Sequence, residues 1–238
     1  MIKHFAPYDQ VAEEYYDASL HPTCANFRQL GHLFFSHLRS NPNFEKKLRI
    51  GNILETGAGF STVAETLSGD LGDLHNLTIQ DASEGMLKHS IRWQNSFKEI
   101  YVSDARQLQA EDKSYDMVCS FLCDPYNDQR LWHEVNRVLK NNGVWVMTCP
   151  SHHWAKRFRP ADGSKSSRFI TRDEREVDLP SITYPVSQIV SGVEKAGPYL
   201  RQYVGYTTDH LKGEVSEKLY AEGSGGAVLD CFLFQRAK

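Results

Sequence analysis

The feature that most constrains this chain is a repeated punctuation between residues 49 and 150. Short apolar runs end in an acid, a helical stretch follows, and the pattern begins again. Residues 50–54 form an apolar run closed by Glu55, residues 77–79 one closed by Asp81, and residues 99–102 one that leads to Asp104. Residues 115–122 and 144–149 supply two more strands. The stretches 61–67, 83–91 and 128–140 between them carry helical spacing, and Ser83 is placed to cap the second of these. Strands alternating with helices predict a parallel, doubly wound sheet. Two late strands, 201–208 and 227–235, flank a turn at Gly223-Ser224-Gly225-Gly226 and are expected to pair antiparallel, after a helix over 186–196. The expected fold is therefore α/β: a mostly parallel seven-stranded sheet with an antiparallel last strand.

The flanking segments differ. In residues 1–48, Val11, Tyr15, Leu20, Phe27, Leu30, Leu33, Phe34 and Leu38 recur at helical spacing with no strand pattern, which predicts a helical cap. His21-Pro22-Thr23 divides it into two helices and Asn41-Pro42-Asn43 ends the second. Residues 151–186 are polar, carry Asp162-Gly163-Ser164, and read as a substrate-side insertion. Arg157, Arg159, Lys165, Arg168, Arg172 and Arg175 make a basic stretch closely followed by Asp173, Glu174, Glu176 and Asp178, which predicts a solvated loop rather than a phosphate-binding patch. All 238 residues are expected to form a single domain.

Composition excludes some partners. Twenty-seven basic residues against 30 acidic ones give a net charge of −3, without the basic excess of a nucleic-acid binder. The five cysteines are odd in number, and three lie in strand-like runs, which predicts free thiols in a reducing compartment and a cytoplasmic protein. No stretch is apolar enough to cross a bilayer, and no metal site is expected.

The loop after the first strand, Glu55-Thr56-Gly57-Ala58-Gly59, suits a close backbone approach to a ligand. A carboxylate at that strand end opposes a pyrophosphate, and Thr62 stands where a dinucleotide fingerprint has its third glycine. A phosphate-free cationic ligand such as S-adenosylmethionine (SAM) fits better than NAD. Asp81, 22 residues past Gly59, can accept hydrogen bonds from two ribose hydroxyls, or serve as a helix cap. Asp104 can meet an adenine amino group, or serve as a turn residue.

With these residues in view, the chain resembles the class I (Rossmann-like) SAM-dependent methyltransferase family. Glu55 to Gly59 resembles its E/D-x-G-x-G loop. Asp81-Ala82-Ser83-Glu84-Gly85-Met86-Leu87 resembles its D-x-S-x-x-M-L motif, and Ser103-Asp104-Ala105 its adenine contact. Residues 134–143 resemble the E-x-x-R-V-L-K-P-G-G segment, with Asn141-Asn142 in place of Pro-Gly, and residues 8–17 the family's Y/F-D-x-x-A…Y-D cap. The resemblance implies methyl transfer from SAM, probed by its product S-adenosylhomocysteine (SAH), with Glu55, Gly57, Gly59, Asp81, Ala82, Met86, Asp104, Ala105 and Tyr16 holding the donor. Candidates at the acceptor are Asp124 and Tyr126 after the fourth strand, and His152 and His153 after the fifth. A histidine is favoured as a base because imidazole titrates near neutrality. A small-molecule acceptor is expected; a nitrogen methyltransferase of nucleic acid or protein, and a non-catalytic SAM-binding scaffold, are the alternatives.

Overall fold

A computed structural model describes residues 6–68, 74–159, 165–220 and 225–238. Parallel strands β1 (Ile53–Thr56), β2 (Leu77–Asp81), β3 (Glu99–Val102), β4 (Tyr115–Phe121) and β5 (Leu139–Pro150) join β8 (Pro198–Tyr206) and β9 (Leu229–Arg236) in one seven-stranded sheet. Its order is β3-β2-β1-β4-β5-β9-β8, with β9 antiparallel to both neighbours. The order reverses between β1 and β4, which opens a crevice at the carboxyl ends of these strands.

Both sheet faces are covered, so β1 and β2 are buried along their whole length. Ile53, Met117 and Val146 face a layer containing Leu30, Phe34, Phe35 and Leu48 of α1 (Pro22–Arg39) and α2 (Pro42–Ile50). Their chain neighbours Leu54, Val118 and Trp145 face Leu131, Trp132 and Val135 of α5 (Gln129–Val138) and Ile189 and Val193 of α7 (Val186–Ala196). Asp128 caps α5, its carboxylate accepting the Arg130 amide at 2.8 Å.

Three expectations are corrected. Residues before His21 form a short 3-10 turn at Pro7–Gln10 and further turns rather than a helix; the spacing of Val11 and Tyr15 serves a folded-back segment equally well. Asn41 ends α1 but also starts α2, since its side chain accepts the Asn43 amide at 2.9 Å and Pro42 is preorganised for a first turn. The helix runs to Ile50, so β1 begins only at Ile53.

The third correction concerns the insertion. Instead of a solvated loop, residues 166–180 form a hairpin of β6 (Ser166–Ile170) and β7 (Glu176–Pro180). Phe169, Val177 and Leu179 alternate toward a small core shared with Val11, Tyr8, Tyr15 and Cys24 of the N-terminal segment. The charged alternates face outward, where Arg168 meets Glu176 at 3.0 Å. Arg172 ties the hairpin turn to Asp17 at 3.2 Å. The hairpin thus lies across residues 6–21. Asp162 to Ser164, Gly223 and Ser224 fall outside the described residues. Among the described residues no helix is long and apolar enough to cross a membrane.

Candidate active site

The loop after β1 turns because Gly57 and Gly59 adopt φ of +59° and +42°, where a side chain is strained. A Cβ on Gly57 would stand 2.8 Å from Cys123 Sγ, and one on Gly59 would collide with the Tyr16 hydroxyl. The loop is pinned from several sides. The Ser61 amide donates to Ser90 Oγ at 2.8 Å, that hydroxyl donates to the Gly59 carbonyl at 2.7 Å, and the Phe60 amide donates to the Tyr16 hydroxyl at 2.9 Å.

Glu55 is 1% exposed, and its carboxylate points beneath the loop. It accepts the Ser61 hydroxyl and, at 2.9 Å, the Thr62 amide at the start of α3 (Thr62–Leu67). Burial raises its pKa to about 7 despite these hydrogen bonds. The expectation that Glu55 faces the ligand is thus modified: it holds the loop and the helix start in shape.

Asp81, at the tip of β2, accepts the Gly59 amide at 3.0 Å and the Ser83 amide at 2.9 Å. Burial raises its pKa to about 6, against the lowering effect of those amides. Ser83 caps the short helix α4 (Glu84–Leu87) through the Met86 amide at 3.0 Å, and its hydroxyl donates to Asp9. Asp9 also accepts the Gly85 amide at 3.1 Å, so the N-terminal segment is clamped to the second motif.

These elements border a partly open cavity at the carboxyl edge of the sheet. Gly57, Ala58, Asp81, Ala82 and Met86 form one wall. Tyr8, Tyr15, Tyr16, Cys24 and Phe27 of the N-terminal region form a second, and Leu122, Cys123, Pro125 and Tyr126 after β4 a third. The first wall offers a donor such as SAM a backbone free of side chains and a carboxylate with lone pairs to spare, so its residues fit that group.

The other expected residues separate. Tyr126 reaches the cavity, as do Tyr16, Gly57, Asp81, Ala82 and Met86. Asp104 is paired with Arg106 at 2.7 Å; burial acts to raise its pKa, but the guanidinium brings it below the ordinary value. Ala105 is buried in the layer with Leu108 and Tyr115. Asp124 is 6% exposed and turned from the cavity, accepting the Ser181 hydroxyl, with its pKa raised by burial to about 6. His152 and His153 lie on α6 (His152–Ala155) and do not line the cavity. A ring nitrogen of His152 lies 3.2 Å from the Thr183 carbonyl, and a Cβ on Gly226 would stand 3.1 Å from the His153 ring.

Sequence reasoning missed Tyr8, Cys24, Phe27, Leu122 and Thr148 as wall residues. Leu122 has φ +54° and donates its amide to Thr148 Oγ1 at 3.1 Å. No local signal marks a leucine for that conformation. Tyr8 and Cys24 carry a faint signal, as polar or polarisable members of an apolar spacing. Among the described residues no cluster of three or more His, Cys, Asp or Glu side chains is arranged to hold a metal ion.

Comparison with known proteins agrees with this geometry. Residues 54–147 match the methyltransferase domain family, whereas no curated protein matches the chain. Among solved structures, an S-adenosylmethionine-dependent methyltransferase from Mesorhizobium loti is similar at TM-score 0.58 and 15% identity, covering 84% of this chain and 96% of its own. A SAM-dependent methyltransferase from Methanosarcina mazei is similar at TM-score 0.60 and 14% identity, with coverages of 83% and 98%. The Burkholderia thailandensis 1,6-didemethyltoxoflavin-N1-methyltransferase, crystallised with 1,6-didemethyltoxoflavin and SAH, is similar at TM-score 0.55 and 14% identity, with coverages of 95% and 85%. At these identities the structures speak for the fold. The match to the methyltransferase domain family spans β1 to most of β5, and it falls on a sheet with this strand order and on this glycine loop.

Proposed function

We propose that the chain transfers a methyl group from SAM to a small molecule bound under the N-terminal segment, by in-line displacement. The observation that carries this reading is the division of one cavity between a glycine-loop wall ending in Asp81 and an aromatic wall covered by residues 6–21 and the β6–β7 hairpin. A chamber covered in this way suits a small acceptor better than a nucleic-acid strand. The net charge of −3 points the same way. A relative in fold, the Burkholderia enzyme, was crystallised with 1,6-didemethyltoxoflavin and SAH.

Bound SAM would supply an electrophilic methyl group and a good leaving group. The protein's own part is to bind, orient and exclude water, and orientation alone can be worth up to about 7–11 kcal/mol. Gly57 and Ala58 offer close backbone approach, Asp81 offers carboxylate lone pairs to hydroxyl donors, and Met86 packs beside the loop. Cys123, Pro125 and Tyr126 border the acceptor side. His152 and His153 as base would need to move to reach the cavity, so we assign them no step. We further propose that the described residues act as one domain with residues 6–48 and 151–186 as its cover, in a reducing, cytoplasmic setting suited to its five free cysteines.

Calorimetric titration with SAH, with NAD as control, tests the reading. The expected result is micromolar binding of SAH alone. Absence of SAH binding with an intact fold would exclude the donor assignment.

A further inference from the structure

The backbone amides of residues 58 to 64, where the glycine loop runs into α3, are all taken. Ala58 donates to the Gln80 carbonyl at 2.9 Å, Gly59 to Asp81 at 3.0 Å, Phe60 to the Tyr16 hydroxyl at 2.9 Å and Ser61 to Ser90 Oγ at 2.8 Å. Glu55 accepts the Thr62 amide at 2.9 Å and the Val63 amide at 3.4 Å, and Ser61 Oγ accepts the Ala64 amide at 2.9 Å. The start of α3, the ordinary place for a negative group after such a loop, is therefore closed by the chain's own side chains. A ligand carboxylate at this wall has to be met by a side chain instead.

Among the described residues that line the cavity, Arg28 is the one cation and Asp81 the one acid. Arg28 lies on α1, with its side chain 15% exposed. Its guanidinium donates to the Phe60 carbonyl at 2.5 Å and to Glu65 at 2.5 Å, and it rests 4.2 Å from the Phe60 ring centroid. These contacts fix the guanidinium against the glycine loop and leave N–H groups of the fork to spare. Glu65 does not cancel its charge within the cavity. That carboxylate borders a neighbouring groove rather than the cavity, is 36% exposed, and is shared with His32 at 2.7 Å.

We propose that Arg28 receives the carboxylate at the amino-acid end of the donor and fixes that end beside the glycine loop. This inference rests on the methyl-transfer reading above. SAM and SAH both carry that carboxylate, and the ribose assignment to Asp81 leaves it without a partner. A guanidinium binds a carboxylate through parallel N–H bonds, which set direction as well as distance. Arg28 is already ordered by Phe60 of the same loop, so binding costs little of the side-chain freedom that a long cation otherwise loses. A strut that only braced the loop would be indifferent to whether the ligand has a carboxylate, and this separates the two roles by experiment.

The test crosses the residue with the ligand group assigned to it. Calorimetry measures SAH and S-adenosyl-3-thiopropylamine, which is SAH without its carboxylate, on the full wild-type chain, on Arg28→Ala and on Arg28→Lys. The wild type is expected to bind SAH at least about tenfold more tightly than the decarboxylated ligand. Arg28→Ala should weaken SAH at least about tenfold and leave the decarboxylated ligand within about threefold, which also reports an intact site. Arg28→Lys, which keeps the charge and loses the fork, should fall between the two for SAH alone. Equal affinity of the wild type for both ligands would overturn the assignment and leave methyl transfer standing. So would an equal loss of both ligands in a folded Arg28→Ala, which would make Arg28 a strut of the loop. If Arg28→Ala does not fold, the wild-type comparison and Arg28→Lys decide the matter. Failure of the wild type to bind either ligand would remove the donor reading and this one with it.

Discussion

The Asp81 carboxylate holds the Gly59 amide at 3.0 Å across the gap between two strand ends. Its other oxygen holds the Ser83 amide at 2.9 Å, so one side chain ties the loop after β1 to the cap of α4. Of the two roles read for this acid in sequence, helix cap falls to Ser83, whose amide Asp81 holds. Asp81→Ala should therefore lose more than a ligand contact. SAH affinity is expected to fall about 100-fold, and Asp81→Asn, which keeps one acceptor oxygen, about tenfold. Calorimetry measures the affinities and circular dichroism checks the fold. Unchanged SAH affinity in both variants would end the ribose assignment.

Two buried carboxylates give the site an opposed pH dependence. The Asp81 and Glu55 pKa values are raised by burial to about 6 and about 7. A raised folded-state pKa contributes stability that is fully present below the unfolded value and is lost as pH rises through the folded one. Each shift corresponds to about 3 kcal/mol at most. The unliganded protein should thus lose stability between pH 4 and 8, an interval of about four units that spans both groups. Binding of SAH, whose ribose hydroxyls donate more strongly to an ionised Asp81, should strengthen as pH rises through the Asp81 value of about 6. Thermal melts with and without SAH across that range check both signs. In Glu55→Gln, stability relative to wild type should increase as pH rises; a difference independent of pH would contradict the Glu55 assignment.

Gly57 combines a φ of +59° with a missing Cβ that would press on Cys123 Sγ. Gly57→Ala is expected to cost about 2–5 kcal/mol, from backbone strain plus overpacking. Cys123→Ala in the same chain removes the collision and leaves the strain, so it should recover about half of the loss. Urea unfolding of the two single variants and the double variant measures the coupling. Simple additivity would show that Cys123 does not set the cost.

The central sheet and its strand-end residues were legible because they are local. Most of the parallel strands read as apolar runs, and Ser83 stands where a cap must be. Glu55 was legible as an acid at the loop but not in direction. Its orientation follows from the amide donors at the start of α3, which a buried carboxylate satisfies better than the open cavity does. The aromatic wall was least legible. Tyr15 stacks on Phe169 with ring centroids 5.8 Å apart, and such a contact, 154 residues away in sequence, leaves no periodic trace. The hairpin that carries Phe169 was concealed because its outward alternates are charged, which made a half-buried strand pair look like a solvated loop.

Ser181 is the latch of that hairpin. Its hydroxyl donates to Asp124 and accepts from Arg159 at 2.7 Å, while the next residue, Ile182, donates its amide to the Asp124 carbonyl at 2.9 Å. The residue before it, Pro180, accepts the Tyr8 hydroxyl at 3.1 Å, so the latch also fixes a wall of the cavity. Ser181→Ala keeps the backbone bond but strands the buried Asp124 carboxylate and leaves Arg159 only its bond to the Ser166 carbonyl, at a cost of about 1–3 kcal/mol. Because the loss falls on the hairpin rather than on the sheet, it should appear as local opening. Hydrogen exchange is expected to speed up at the amides of β6 and β7 and to stay unchanged in β1, β4 and β5. SAH affinity should remain within about twofold, since the first wall lies on the other side of the cavity. Faster exchange spread evenly over the sheet would mean that Ser181 supports the whole fold and not the cover.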